Sequence, residues 1–206
     1  ITINTATTSN GLCSPGTGGC FVLTGIPASA NLNVTDLTTA LSTTSVTINT
    51  SSSATGSNGG DITVSTPVVY NSGNNLTFQA NRNINVIGNG IANSGSGGIN
   101  FIATGNLSVQ DATVSAAGAM TVNANGVSLV ANTASTALSS ATQSITVDSG
   151  GLTVTGAGAS ATGKIAQIQQ TGTTATQTIT VNGGGNIQLN GGTGSGNRAW
   201  IAANGT

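Results

Sequence analysis

Seven side chains in 206 residues carry formal charge, and the chain contains neither histidine nor glutamate. The acids are Asp36, Asp61, Asp111 and Asp148; the bases are Arg82, Lys164 and Arg198. Without histidine, a Ser-His-Asp arrangement has no general base. Hydrolysis of a glycosidic bond needs two carboxyl groups facing one bond, and these four aspartates are spread over more than a hundred residues. The glycines between Gly151 and Gly158 lack the lysine and helix that follow in a phosphate-binding loop. The sequence therefore predicts no catalytic residue, no cofactor and no metal site, and the chain is read as a non-enzyme.

Cys13 and Cys20 are the one pair with redox chemistry. They bracket Ser14 to Gly19, a Pro- and Gly-rich turn sequence. A disulfide across so short a loop contributes about 2–3 kcal/mol through chain entropy and implies an oxidising, extracytoplasmic setting. Two free thiols, or half of a metal site with its other ligands elsewhere, are the alternatives.

The elements behind these residues follow a short repeat. Leu76-Thr77-Phe78 and Ile84-Asn85-Val86 form a doublet of apolar–polar–apolar triplets. It recurs as Ile99-Asn100-Phe101 with Leu107-Ser108-Val109, and as Met120-Thr121-Val122 with Val127-Ser128-Leu129. Alternation sends the outer residues of each triplet to one face of a strand. Doublets recurring every 20-odd residues are the mark of a solenoid with two or three strands per coil. Beyond residue 130 the repeat loosens, with doublets at Ile145–Val147 and Leu152–Val154, then at Ile179–Val181 and Ile187–Leu189. Ile165 to Ile168 reads as a strand of an irregular coil, and Trp200 opens the next one.

The predicted fold is all-β: a right-handed parallel β-helix of about nine coils, with one short helix near residues 36–42. Leu37, Ala40 and Leu41 give the helix its apolar side, with Thr35 or Asp36 as N-cap. Phe78 and Phe101 should stack in the core about 4.8 Å apart, and Val86 and Val109 should form a second stacked pair. Pro67 marks a corner. Asn74, Asn75, Asn81, Asn83 and Asn89 are expected to supply left-handed backbone at corners. Residues 1–30 read as an irregular, disulfide-clipped lead-in and residues 31–206 as the shaft. The strand-like first residues and the absence of a closing segment suggest a piece of a longer chain.

Charged residues make up 3% of the chain, against roughly 25% in ordinary domains. The net charge of −1 leaves no electrostatic footprint for nucleic acid. No run reaches the ~18 apolar residues of a membrane span, and no signal peptide is visible at the start.

Several stretches are similar to the repeat region of filamentous-haemagglutinin-like exoproteins. They include Ala30 to Val34 through Leu37 to Leu41, Val46 to Thr50, Gly60 to Val64, Leu76 to Val86 and Gln177 to Gly185. The resemblance covers residues 30–206. It implies a β-helical shaft of a secreted or cell-surface bacterial adhesin, exported by two-partner secretion with an outer-membrane partner. The Asn-rich motifs of the family's secretion domain are not found here, and Cys13 and Cys20 match no family hallmark.

The functional expectation is a structural and adhesive module that presents or forms a binding surface toward a host or environmental glycan or protein. Its neighbours would be further repeats of the same chain, or other copies end to end. A self-assembling extracellular filament subunit is the alternative, followed by an ice- or glycan-binding β-helix. Asn33, Asn49, Asn75, Asn106 and Asn204 fit the N-x-Ser/Thr glycosylation pattern, the first four being the candidates kept; the pattern also arises by chance in so Asn-, Ser- and Thr-rich a chain. Tyr70 and Trp200 would stack on a sugar if they face outward; filling the core is the preferred reading.

Overall fold

A computed structural model describes residues 1–12, 20–23, 29–50 and 60–204, with backbone alone for 11–12 and 20–23. The first strands are β1 (Thr2–Asn4), β2 (Gly11–Leu12), β3 (Cys20–Leu23) and β4 (Asn31–Asn33), followed by helix α1 (Val34–Thr43). Next come β5 (Val46–Asn49), β6 (Ile62–Val64), β7 (Val68–Tyr70), β8 (Leu76–Ala80) and β9 (Ile84–Ile87). The regular region continues through β10 (Ile91–Asn93), β11 (Ile99–Ala103) and β12 (Asn106–Gln110). Two long strands, β13 (Thr113–Val130) and β14 (Thr136–Thr155), each bend through a whole coil. The chain ends with β15 (Ile165–Gln170), β16 (Gln177–Val181), β17 (Ile187–Asn190) and β18 (Arg198–Ala203).

The pairings sort these strands into three parallel columns, so the molecule is a three-sided parallel β-helix. Face A runs β4, β1, β6, β9, β12, then the ends of β13 and β14, then β17. Face B runs β3, β5, β8, β11, then the middles of β13 and β14, then β16. Face C runs β7, β10, then the starts of β13 and β14, then β15 and β18. Among the described residues the columns therefore hold eight, seven and six rungs, close to the nine coils expected. At the usual strand spacing the longest column is roughly 35 Å tall.

The coil length is read from the register. Leu76 lies over Ile99 after 23 residues, whereas Leu152 lies over Ile187 after 35. The extra residues enter as turns between strands, which is why the spacing loosens while the columns continue unbroken.

Packing follows from alternation. One inward file of face B reads Ile48, Phe78, Phe101, Val122, Ile145, Ile179. The Phe78 and Phe101 rings stack with centroids 5.2 Å apart and planes 7° from parallel. On face A, Val86 lies over Val109, and all four of these side chains are fully buried. Each buried aliphatic or aromatic group of this size stabilises by about 1.5–3 kcal/mol. The polar residue between two inward ones faces out, and neighbouring rungs bond through it: Asn100 Nδ2 donates to Thr77 Oγ1 (3.2 Å) and Asn190 Nδ2 to Thr155 Oγ1 (3.3 Å).

Several expectations need correction. The helix cap is Asn33, not Thr35 or Asp36: its Oδ1 accepts the N–H groups of Thr35 (2.8 Å) and Asp36 (3.4 Å). The lead-in is partly shaft, because β1 lies inside face A between β4 and β6. The corner asparagines work through their side chains. Among the described non-glycine residues, positive φ occurs at Asn10 and Asp111 alone. Asn75 Oδ1 instead accepts the Gly98 N–H (2.7 Å), and Asn83 Oδ1 accepts that of Asn106 (2.9 Å). The expected Cys13–Cys20 pair falls on side chains outside the described residues.

Face C carries inward polar groups that alternation rules do not anticipate. Buried Asn93 accepts from the Ser72 and Gly95 N–H groups and donates to the Ser72 and Gly97 carbonyls. Its four hydrogen bonds are satisfied, so its burial carries no orphan-group penalty. Backbones pass so closely at this corner that a Cβ on Gly97 would strike the Asn74 carbonyl, and only glycine fits.

Because Phe101 sits in the middle of the stack with a ring on one side and Val122 on the other, truncation opens a cavity that neighbouring rungs cannot fill. Phe101→Ala is expected to cost about 3–5 kcal/mol, read as a lowered midpoint in urea unfolding.

Candidate functional site

The charged groups are placed by corners. Asp61, just before β6, receives Arg82 in a two-pronged pair: Nε to Oδ1 at 2.7 Å and Nη2 to Oδ2 at 2.6 Å. The Asn83 N–H also donates to Asp61 Oδ1 (3.0 Å), so the pair ties one corner to the coil above it. Partial burial pushes the Asp61 carboxyl up, but the Arg82 hydrogen bond, the Asn83 N–H and the Arg82 charge outweigh it, leaving the group below its ordinary range.

Asp111 sits at the corner after β12 with φ 50°. Its Oδ1 accepts three consecutive N–H groups of the next coil: Asn132 (2.7 Å), Thr133 (2.9 Å) and Ala134 (3.0 Å). The Thr133 hydroxyl donates to Oδ2 (3.1 Å). Burial again pushes up, and the three backbone donors with the hydroxyl pull further down. Asp36 lies in the first turn of α1, a favourable place for a negative charge, and accepts the Thr8 hydroxyl. Asp148, at the end of the middle part of β14, faces Asn182 Nδ2 (3.5 Å). Asp61 and Asp111 thus each serve a corner, Asp36 the start of the helix, and the four carboxylates stay apart. Among the described residues no three Asp or Cys side chains come together as a metal cluster.

A surface concavity with a mainly polar lining lies on face A. It has a volume of about 290 Å³ and is bordered by Asn106, Ser108, Asn125, Ser128 and Thr153. Gly126 and Gly150 form its corner; the lack of side chains there makes the hollow. Ser108, Ser128 and Thr153 occupy the same outward position on successive rungs. The lining offers neutral donors and acceptors, which suits hydrogen bonding and supplies no proton-transfer chemistry.

Tyr70 is an inward residue, 7% exposed, as expected for core filling. Its hydroxyl is buried without a hydrogen-bond partner, and burial pushes the phenol up. Trp200 overturns that preference. It is 38% exposed, it lies over Gln167, and its Nε1 donates to Gln167 Oε1 (2.5 Å). The neighbouring Ile201 takes the inward position over Ile168 instead. The sequence could not separate these choices, because Ala199, Trp200 and Ile201 are apolar in a row.

The four candidate glycosylation asparagines are not equivalent. Asn33 spends its amide nitrogen on the Thr5 and Ala6 carbonyls (3.0 and 3.1 Å) and its oxygen on the helix. Asn49 Nδ2 donates at 3.5 Å to Gln79 Oε1, and Asn75 uses its oxygen on Gly98. Asn106 is exposed at the edge of the face A hollow. Outward Thr-x-Thr pairs do not run along a face: the rungs of face B present Thr77 with Gln79, Asn100 with Ile102, Thr121 with Asn123, Ser144 with Thr146, and Thr178 with Thr180.

No protein-family model matches the chain, and no curated protein and no solved structure matches it.

Two outcomes follow from this geometry. Asn33→Ala removes the cap and both carbonyl contacts, and should lower stability by about 1 kcal/mol in thermal or urea unfolding. For Asp61 and Asp111 the folded carboxyl lies below its unfolded value of about 4. Their contribution is therefore full above that value and is lost as pH falls through the lower folded values. Unfolding midpoints of the native chain should drop between neutral pH and pH of about 3, and a chain carrying Asp61→Asn and Asp111→Asn together should show a shallower drop.

Proposed function

We propose that the chain is a structural and adhesive β-helical module of a secreted or cell-surface bacterial adhesin of the filamentous-haemagglutinin-like, two-partner-secretion kind. The observation that supports it is the in-register stack itself. Thirty-five ångströms or so of parallel rungs hold mostly neutral side chains outward, hydroxyls and amides prominent among them, while Asp61 and Asp111 are committed to corners. Such a body holds a surface at a distance and offers contact by hydrogen bonding and shape. The resemblance of residues 30–206 to the repeat region of those exoproteins supplies the family, an outer-membrane secretion partner and the extracellular setting, which an oxidised Cys13–Cys20 pair would suit.

A glycan or protein on a host or environmental surface is the partner this reading carries. The neutral hollow on face A and the outward Trp200 favour a glycan over a charged partner, since aromatic faces stack on sugar rings and amides read their hydroxyls. The unsustained Thr-x-Thr pairs count against the ice-binding alternative. An open filament made by head-to-tail stacking is disfavoured by the N-terminal end, where β4, β3 and β7 have their outer edges occupied. Ser9 bridges Asn31 of β4, β2 pairs antiparallel with β3, and α1 packs by β7 with Leu37 and Leu41 buried.

Beads coated with the chain should adhere to cultured epithelial cells or to immobilised neutral polysaccharide above albumin-coated beads, and the free chain should compete. Retention no better than albumin on both surfaces would refute the adhesive reading.

A further inference from the structure

At the corner where face B turns into face A, a file of amide side chains is broken. Asn83 Oδ1 accepts the Asn106 N–H (2.9 Å), but the next two residues in register are Gly126 and Gly151. Side chains therefore stop for two rungs in the middle of the shaft, and the hollow on face A opens there. Beside the glycines stand Ser108, Ser128 and Thr153, one outward file of half-buried hydroxyls. Elsewhere outward polar groups tie rung to rung, as Asn100 does with Thr77 and Asn190 with Thr155. Here they do not. Among the described residues the three hydroxyls and the Asn106 side-chain amide have no hydrogen-bond partner, and Asn125 engages only its oxygen, with the Ser149 hydroxyl (3.2 Å).

We infer that this hollow is a subsite for one neutral, gluco-configured pyranose ring, which gives the adhesive reading its ligand and rests on that reading. A volume of about 290 Å³ lies at the low end of ligand cavities, so it holds a single ring and not a length of glycan. The file sets the configuration. Successive rungs are about 4.8 Å apart, and alternate equatorial oxygens of a pyranose chair, such as O2 and O4 of glucose, are separated by nearly the same distance. A ring standing edge-on along the stack places those two oxygens opposite neighbouring hydroxyls of the file. Each hydroxyl can donate and accept, and the Asn106 and Asn125 amides border the same space. An axial 4-hydroxyl, as in galactose, leaves the ring plane and breaks the match. A uronic acid would bring a carboxylate to a lining that holds no cation, at a desolvation cost nothing offsets. Glucans linked 1,3 leave O2 and O4 free on every internal residue, so they are the polymer this subsite fits.

Gly126 is the residue that keeps the space. Its backbone is not left-handed, so glycine is not needed there for conformation. A Cβ on it would lie 2.9 Å from Asn106 Oδ1 and 3.2 Å from the Gly150 backbone, in the hollow itself. The Asn106 amide can swing aside, so a small side chain fills the hollow with little cost to the fold. Gly151, with φ 69°, serves the backbone instead. A few neutral hydrogen bonds in a half-open hollow bind one ring weakly, with a dissociation constant of about a millimolar. Many copies of the chain facing many sugar residues on one surface convert that into firm attachment.

NMR titration of the isotope-labelled 206-residue chain with laminarihexaose, a β-1,3-linked glucose oligomer, should shift the amide signals of Gly126, Ser128 and Thr153. The β-1,3-linked galactose hexamer and a galacturonate oligomer should bind about tenfold more weakly or not at all. Ser128→Ala with Thr153→Val removes two hydroxyls at nearly constant shape, and should weaken laminarihexaose binding about tenfold with an unchanged unfolding midpoint. Gly126→Ala should abolish the shifts at Ser128; if it disturbs the fold, the double variant decides. No shift at these amides at millimolar sugar, equal binding of the galactose hexamer, or binding indifferent to the double variant would each overturn the subsite. Beads that still adhere in that event do so through another surface, whereas beads retained no better than albumin refute the adhesive reading whatever the titration shows.

Discussion

The whole structure depends on one constraint: every inward side chain must be sealed by the equivalent side chain of the coil above and below. A single coil of some 23 residues encloses almost nothing, because its cross-section is one residue deep. Burial is a property of the stack. This explains why Ile, Val, Leu and Phe recur at register-matched positions, and why small differences in side-chain size along a file are tolerated more easily than a break in it. It also bears on the scarcity of charge. A charge repeated at one outward position would sit about 4.8 Å from its copy, and like charges so placed repel. Hydroxyls and amides at that spacing bond instead, as Asn100 does with Thr77.

Corners pose a second demand. Strands satisfy their backbone groups through the ladder, but where the chain turns the ladder is interrupted and donors must find other acceptors. The chain answers with side chains that reach across coils. Asn75 and Asn83 each accept an N–H from the next coil, and buried Asn93 closes a corner from within. Asp111 accepts three such groups, and Asp61 combines one with a pair to Arg82. The acids are thus absorbed by the architecture, and the outward faces keep neutral polar chemistry. The proposed role follows from that division: fixed corners, a continuous core and faces free for contact.

The ends complete the picture. At the N-terminal end three different devices occupy three edges, and the 10-residue helix covers the face on which strands have not yet begun. The opposite end continues the ladder outward.

The repeat, the alternation and the near absence of charge were enough to read a parallel stack from the sequence, and with it the Phe78 over Phe101 pair, because stacking in register leaves a periodic trace in one dimension. Two columns were legible for that reason. The third was half hidden: β10 and the start of β14 carry Asn93 and Ser140 at inward positions, so the apolar–polar–apolar triplet is broken where the fold satisfies polar groups internally. That Asn33 rather than Thr35 or Asp36 caps α1, that β1 slots between strands some 30 and 60 residues downstream, and that Trp200 turns outward while Ile201 turns in were all decided by tertiary structure. Local sequence offers several equivalent caps, partners and faces. Only the coil lying above or below makes one of them lower in free energy than the rest.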